Sequence, residues 1–241
     1  MIINPYQVRN DQFFANVSLL THFDGANNST SFVDNSRNAF TLSAVNSAKL
    51  STAQMKFGQS ACLFANATAD AVQAASASPL DLSTSAPDWT IEAWVYLTSL
   101  PANNAAIVDK DGVQGSKVSS YQLSILSATG KAFILVGDSS SAGTSTRIDG
   151  ATIVSLNTWH HLAACRSGST LYLFLDGVLE NSGAVGITMV DSARAFSIGR
   201  RSQETTVITT WNGYIDDVRI TKGVARYTAN FAVPTAPFPN Q

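Results

Sequence analysis

The carboxylates that could hydrolyse a glycosidic bond are few in this sequence. Retaining glycoside hydrolysis needs two carboxyl groups about 5 Å apart, one on each side of the scissile bond. The three glutamates, Glu92, Glu180 and Glu204, lie far apart in the sequence, and no Glu-x-Asp-x-Glu pattern exists. Because Glu92 alternates with Trp94 in a strand-like run, we interpret it as a carboxylate at the edge or rim of a sheet. We therefore predict no catalytic residue and no enzymatic activity.

Two adjacent histidines, His160 and His161, suggest a different chemistry, in which an imidazole acts as the base for a nucleophile. No Gly-x-Ser-x-Gly elbow accompanies them. Neighbouring residues of a strand point to opposite faces, so at most one of the two can serve a given site. We predict structural roles for both, with packing beside Trp159, and the same for His22.

Oxygen ligands for a cation are concentrated in one loop, which contains Asp24, Asn27, Asp34 and Asn35. Calcium takes about six to eight oxygens from carboxylates, amides and backbone carbonyls, and such a loop can supply them. The same side chains also cap turns by accepting backbone hydrogen bonds. A structural calcium site is our hypothesis, and turn capping remains the alternative.

An aromatic platform for a sugar is harder to locate. The candidates are the four tryptophans, Trp89, Trp94, Trp159 and Trp211. Each lies in a strand-like run, where a tryptophan is more often part of the core than of a binding surface. The ligand-binding residues therefore stay unknown from the sequence.

The elements that would position these residues are short strands. Apolar or alternating runs are broken about every ten residues by Gly, Asn, Asp, Ser or Pro, which is typical of an all-β sandwich. The candidate strands include 17–23, 40–45, 89–97, 121–126, 131–136, 159–165 and 211–220. We predict an all-β fold with two stacked antiparallel sheets.

Local signals fix two details of these strands. Asp176-Gly177 lies between the runs 170–175 and 178–181, and Asp-Gly favours the type I′ turn of a β-hairpin. In 213–220, Ile215 and Val218 cannot face the same side of a regular strand, so either a β-bulge lies near Asp216 and Asp217 or one aspartate points inward.

The polar segments 138–146 and 103–117 are ligand loops or, alternatively, solvated hairpin connections.

Composition restricts the partners. Charged residues make up only 13% of the chain and the formal net charge is -2, so neither a nucleic-acid footprint nor a polybasic membrane patch is present. No apolar run is long enough to span a bilayer.

Cys62 and Cys165 lack the Cys-x-x-Cys spacing of a zinc site or a redox pair. We interpret them as buried free thiols, with a disulfide as the alternative.

The predicted organisation is an N-terminal arm at 1–16, a sandwich domain at 17–231 and a proline-rich tail at 232–241 that runs extended over the surface. The opening residues hold no apolar core typical of a signal peptide. Exposed edge strands of a sandwich need cover, and terminal arms can dock on a neighbouring subunit. We therefore expect that copies of this chain can form a homo-oligomer.

Five blocks of sequence, in order from about Ser18 to Pro239, carry a family resemblance. They are HFDG at 22–25, KFGQSACLF at 56–64, WTIEAWVY at 89–96, NTWHHLAACRSGSTLYLFLDG at 157–177 and NGYIDDVRITKGVARYTANFAVPTAPFP at 212–239. The sequence resembles the laminin-G-like, concanavalin A-like jelly-roll modules of bacteriophage structural proteins. One departure is Ala65-Asn66, where such modules commonly have Asp-Gly.

The resemblance implies a virion protein, a decoration or tail-associated subunit made in the host cytoplasm. Its expected partners are other capsid or tail proteins and, through a lectin-like face, host-surface polysaccharide. A carbohydrate-binding adhesion module of a tail fibre or cell-surface protein is the alternative, and a glycan hydrolase is the third. The resemblance also implies a structural calcium near the opening turn and the closing strand, which pairs Asp24 with Asp216 and leaves Asp34 as the third candidate ligand.

Overall fold

The computed structural model describes residues 10–65, 69–83, 88–100, 102–110, 120–138, 144–189, 191–202 and 210–241. Its strands are β1 (Val17–Thr21), β2 (Ser43–Val45), β3 (Lys49–Ser51), β4 (Ala61–Phe64), β5 (Ala71–Ala74), β6 (Trp89–Leu97), β7 (Ala105–Lys110), β8 (Tyr121–Leu126), β9 (Lys131–Gly137), β10 (Ser145–Ile153), β11 (Trp159–Ser167), β12 (Thr170–Leu175), β13 (Val178–Ala184), β14 (Phe196–Ile198) and β15 (Gly213–Lys222). Short 3-10 turns lie at Phe14–Asn16 and Ser78–Leu80.

The strands form two antiparallel sheets, which confirms the predicted fold class. The larger sheet has the order β13-β12-β11-β6-β15-β4-β3, with β1 also paired to β15. The smaller sheet has the order β10-β9-β8-β7-β14-β5-β2. The order in each sheet differs from the order in the chain, because strands that are distant in sequence lie side by side, as in a jelly roll.

The core lies between the two sheets. On β6, Ile91, Val95 and Leu97 are fully buried there, opposite the apolar residues of β7 and β8. Each such side chain contributes about 1.5–3 kcal/mol through removal of apolar surface from water. The alternate residues of β6 therefore point to the outer face of the larger sheet, and that face carries the polar and aromatic groups considered below.

Both local predictions are confirmed. Asp176 and Gly177 have φ of 49° and 77° and connect β12 to β13 as a tight hairpin. On β15 the register to β6 shifts between Asp216 and Arg219, and Asp217 has φ of 48°, so a β-bulge is present. The bulge divides β15 into a half paired with β4 and a half paired with β1.

The C-terminal tail packs on the outer face of the larger sheet. The Phe238 ring lies 3.9 Å from the Arg219 guanidinium and forms a small apolar cluster with Phe14 and Leu20. The Phe238 N–H donates to Asp217 Oδ2 at 2.9 Å, and the Asp11 N–H donates to the Gln241 carbonyl at 2.7 Å. The segment boundaries at residues 16 and 231 remain predictions.

Several sequence predictions fall wholly or partly outside the described residues: arm residues 1–9, Asn66, Glu204, residues 111–117 of the segment 103–117 and residues 139–143 of the segment 138–146. The prediction of a polar loop at 103–117 is wrong over 105–110, because these residues form the buried strand β7 in the middle of the smaller sheet. In the described part of the chain, no helix is long and apolar enough to cross a membrane. Cys62 and Cys165 are buried free thiols, as interpreted. Burial raises the pKa of the Cys165 thiol to about 12, which leaves it unreactive.

Candidate functional site

Three aromatic side chains form a row across the outer face of the larger sheet. Trp159 on β11 and Tyr214 on β15 both pair in register with Tyr96 on the central strand β6. The Trp159 and Tyr96 ring centroids are 5.5 Å apart, and those of Tyr96 and Tyr214 are 5.8 Å apart. All three side chains are half-buried, so part of each ring is open to solvent. We call Trp159, Tyr96 and Tyr214 the aromatic row.

The strand alternation explains why these residues lie together. Because Val95 and Leu97 point into the core, Tyr96 between them must point outward. Aromatic residues directly opposite each other on neighbouring strands stabilise the sheet by about 0.2–1 kcal/mol per pair. The strands on both sides keep the rings in fixed positions, so a ligand meets a preformed surface.

Polar groups lie at the end of β6 beside the aromatic row. The Asn212 side-chain amide donates to Ser99 Oγ at 2.6 Å, and Thr98 Oγ1 donates to the Asn212 carbonyl at 2.9 Å. Asn212 precedes β15 and Ser99 follows β6, so this pair joins the ends of two strands of the row. The row therefore combines apolar ring surface with neighbouring hydrogen-bonding groups, as binding sites for amphipathic ligands do.

The other three tryptophans do not contribute an open ring. Trp89 and Trp211 are fully buried in the core, as the strand-like context predicted. Trp94 points outward but is only 4% exposed, because Phe57 packs against it and Lys56 Nζ lies 3.8 Å from its ring centroid. That geometry is a cation–π contact.

The interpretation of Glu92 as an edge or rim carboxylate is wrong. Glu92 lies on β6, between β11 and β15, and is fully buried under the C-terminal tail. Arg219 donates to Glu92 Oε1 from two nitrogens, at 2.9 Å and 2.8 Å. The Tyr227 hydroxyl donates to Glu92 Oε2 at 3.1 Å, and His161 Nε2 lies 3.3 Å from the same oxygen.

The electrostatics of this cluster are those of a structural ion pair. Burial acts to raise the pKa of Glu92, but the Arg219 charge, the His161 contact and the Arg226 charge together outweigh burial and lower the pKa to about 2. Arg226 completes the cluster by pairing with Asp11 at 2.6 Å. His161 is buried here and makes edge contacts with Phe231 and Phe238. Its predicted packing beside Trp159 stays a prediction.

The remaining described glutamate does not form a hydrolytic pair with Glu92. Glu180 lies on β13, separated from β6 by β11 and β12. Its Oε2 accepts hydrogen bonds from the N–H groups of Ala151 and Thr152 at 2.8 Å and 2.6 Å. The described residues therefore do not bring two glutamates to opposite sides of one cleft.

The three candidate calcium ligands serve backbone N–H groups. Asp34 accepts from Leu20, Ser36 and Phe40 N–H at 2.9–3.0 Å. Asp24 Oδ1 accepts from Gln59 N–H at 2.6 Å, and Asp216 Oδ2 accepts from the N–H groups of the neighbouring loop residues 56 and 57 at 2.8 Å and 3.1 Å.

Asp24 and Asp216 thus both hold the loop 56–59, whereas Asp34 stabilises a different loop. Within the described ranges, no three His, Cys, Asp or Glu side chains come together where they could hold a metal ion. Such N–H contacts fit turn capping better than a set of calcium ligands. Calorimetric melting with and without a chelator tests the calcium hypothesis, and a melting temperature that chelation leaves unchanged would reject it.

The fold and the outer-face site define a class of protein: a two-sheet jelly roll with a preformed aromatic surface on one sheet. The sequence comparison supports this class. The family model described as "Concanavalin A-like lectin/glucanases superfamily", of the laminin G type, matches residues 66–226. The chain therefore belongs to the concanavalin A-like lectin/glucanase superfamily. A comparison with curated protein sequences finds no match.

Solved structures share the fold at low sequence identity. The binding domain of Paraclostridial Mosquitocidal Protein 1 is 14% identical, with a TM-score of 0.67 over 93% of this chain and 51% of that one. A structure titled "Cell entry of botulinum neurotoxin type C is dependent upon interaction with two ganglioside molecules" is 12% identical, with a TM-score of 0.60 over 86% of this chain and 48% of that one. This chain thus spans about half the length of these toxin chains.

A third structure is similar over nearly its full length. It is Domain 4 of AbnA, an extracellular GH43 arabinanase from Geobacillus stearothermophilus, in complex with arabinotriose. The identity is 16% and the TM-score 0.59, over 87% of this chain and 94% of that one. At these identities the likeness establishes the lectin-like jelly-roll fold.

Proposed function

We propose that this chain is a glycan-binding module whose ligand stacks on the aromatic row. The single observation that carries the proposal is the preformed line of half-buried rings, Trp159, Tyr96 and Tyr214, across three neighbouring strands. The C–H faces of a sugar ring are apolar, and they pack on aromatic faces while the hydroxyls bond to polar groups at the rim. The amide and hydroxyl groups of Asn212 and Ser99 lie at that rim.

The structural relatives support a sugar as the ligand. The arabinanase domain was solved with arabinotriose, and the botulinum neurotoxin type C structure concerns ganglioside molecules. We propose that this module binds a glycan without cleaving glycosidic bonds. The negative charge of Glu92 is compensated inside an ion-pair cluster, and Glu180 lies three strands away from it. Host-surface polysaccharide is the ligand class that the sequence resemblance favours.

Truncating a ring of the aromatic row should weaken glycan binding. We expect Trp159→Ala and Tyr96→Ala each to weaken binding by at least about tenfold, which corresponds to about 1.4 kcal/mol. A glycan array identifies the ligand, and isothermal titration calorimetry then measures the dissociation constants. Tyr172→Ala is the matched control, because Tyr172 stacks on Phe174 on the same outer face but outside the row. Unchanged affinity in both row variants would contradict the proposal.

The second part of the proposal is a place in a bacteriophage particle. It is supported by the sequence blocks of the closing strand and tail, in particular the run Thr-Lys-Gly-Val-Ala-Arg-Tyr at 221–227. We expect the chain in purified particles, detected by mass spectrometry. Its absence from them would leave the glycan-binding proposal standing as an adhesion module of another protein.

A further inference from the structure

A hydrogen-bonded chain of serine, histidine and aspartate lies at one end of the sandwich, outside the aromatic row. Ser155 is exposed in the connection between β10 and β11, His160 is the second residue of β11, and Asp176 belongs to the β12–β13 turn. Ser155 Oγ lies 2.7 Å from His160 Nε2, and His160 Nδ1 lies 2.7 Å from Asp176 Oδ2. This is the order of contacts found in serine hydrolases.

The carboxylate fixes the tautomer of the imidazole. An ionised Asp176 only accepts hydrogen bonds, so we assign the proton to His160 Nδ1, and Nε2 then accepts the Ser155 O–H. The other oxygen, Asp176 Oδ1, accepts the His161 N–H at 2.8 Å and so holds the carboxylate in place. Burial acts to raise the pKa of Asp176, but the His160 and His161 hydrogen bonds outweigh it and lower the pKa below its ordinary value.

A donor for a developing oxyanion is available next to the serine. The backbone N–H that follows the nucleophile contributes to the oxyanion hole in one large class of serine hydrolases. In this chain that group is the Leu156 N–H, which makes no hydrogen bond within the described residues. Ile153 and Leu156 are 61% and 42% exposed, so apolar surface for a short acyl group lies on both sides of Ser155 in the chain.

We propose that Ser155 is a nucleophile for small, sterically open carboxylic esters. Ser155 Oγ bonds to the acyl carbon and its proton moves to His160 Nε2; the ester C–O bond breaks and the leaving alcohol takes that proton. Water then adds to the acyl carbon and gives a proton to His160, and the acid leaves as Ser155 regains its hydrogen. The step needs no reactant besides the ester and water.

This activity is independent of glycan binding, because a small ester need not touch the aromatic row. The test uses a fluorophosphonate probe, which reacts with activated serines, and p-nitrophenyl acetate as the substrate. We expect the intact chain to be labelled at Ser155, as located by peptide mass spectrometry, and to hydrolyse the acetate. Ser155→Ala should lose both signals, and His160→Gln should slow labelling by at least about a hundredfold.

Asp176 is a positioning residue, and its variant can be chosen to preserve the fold. Asn-Gly is as well suited to a type I′ turn as Asp-Gly, so Asp176→Asn should keep the hairpin and the melting temperature. We expect labelling to slow by at least about tenfold at an unchanged melting temperature, because an amide can donate to His160 Nδ1 and so stabilises the wrong tautomer of the imidazole.

Ser169→Ala is the matched control, because Ser169 is also exposed in a loop but has no histidine partner among the described residues. Its labelling rate should equal that of the unaltered chain. The proposal is overturned if the probe leaves Ser155 unmodified, or if Ser155→Ala retains the hydrolysis of p-nitrophenyl acetate. Equal labelling of the unaltered chain and His160→Gln at matched melting temperatures would likewise overturn it.

Discussion

Glu92→Gln should destabilise the domain by about 3 kcal/mol, the loss expected when one partner of a buried ion pair is removed. The substitution keeps the shape of the side chain but removes one of the two carboxylate charges, Glu92 and Asp11, that compensate Arg219, which is 4% exposed. For a domain of this size, a loss of this magnitude lowers the melting temperature by roughly 10 °C. Urea unfolding at pH 7 measures the change in free energy directly.

The pH dependence gives an independent measure of the same interaction. Since the pKa of Glu92 is lowered from 4.5 to about 2, its stabilisation is fully present above pH 4.5 and is lost as the pH falls towards 2. The difference between the unaltered chain and Glu92→Gln should therefore shrink over that window. Glu180→Gln is the control, since Glu180 only accepts backbone hydrogen bonds near the surface. Equal stability of Glu92→Gln and the unaltered chain at pH 7 would show that the ion pair contributes nothing.

The sequence predicted the elements that carry a local signal. β6 and β8 have the predicted bounds, because an apolar run of six to nine residues is visible without tertiary information even where, as in β6, the alternation is imperfect. The β12–β13 hairpin follows from one dipeptide. The three-residue strands β3 and β14 were not predicted, since so short a run cannot display a period of two and is defined by its partners.

The sites depend on register, which the sequence does not display. The sequence analysis did not single out Tyr96, although its place between Val95 and Leu97 indicates an outward side chain. Only the strand pairing shows that Trp159 and Tyr214 lie beside it. Ser155 was missed for the same reason, because its partners come from another strand and a turn. Glu92 was misinterpreted because the C-terminal tail, distant in sequence, covers the outer face of the sheet.

Asp216→Asn should have the opposite effect to Glu92→Gln and stabilise the domain at alkaline pH. Burial and the negative charge of Asp217 raise the pKa of Asp216 from 3.8 to about 7, although two backbone N–H groups bind its Oδ2. Its Oδ1 is buried and has no hydrogen-bond partner within the described residues. A neutral carboxyl group is therefore favoured in the folded chain, and ionisation leaves an uncompensated buried charge.

The sign of the effect follows from the direction of this shift. A carboxyl group whose pKa is raised in the folded state makes its full contribution to the free energy of unfolding below pH 3.8. As the pH rises from 3.8 to about 7 this contribution is lost, and the free energy of unfolding falls by at most about 4 kcal/mol. Asparagine keeps an oxygen for the Lys56 and Phe57 N–H groups but cannot ionise. We expect Asp216→Asn to match the unaltered chain near pH 4 and to exceed its free energy of unfolding by several kcal/mol at pH 8.

Other groups titrate in the same range, so the informative quantity is the difference between variant and unaltered chain at each pH. The His22 imidazole, for example, has a raised pKa because its hydrogen bonds to the Asp217 and Asn240 oxygens, together with the Asp217 charge, outweigh its burial, and its stabilisation also declines as the pH rises. That decline is common to both proteins and cancels in the difference. Asp149→Asn, at an exposed aspartate paired with Arg147, should change the free energy of unfolding by at most about 1 kcal/mol. A pH-independent difference for Asp216→Asn would mean that Asp216 is ionised in the folded chain, and the bulge on β15 would then hold a buried charge with no compensation among the described residues.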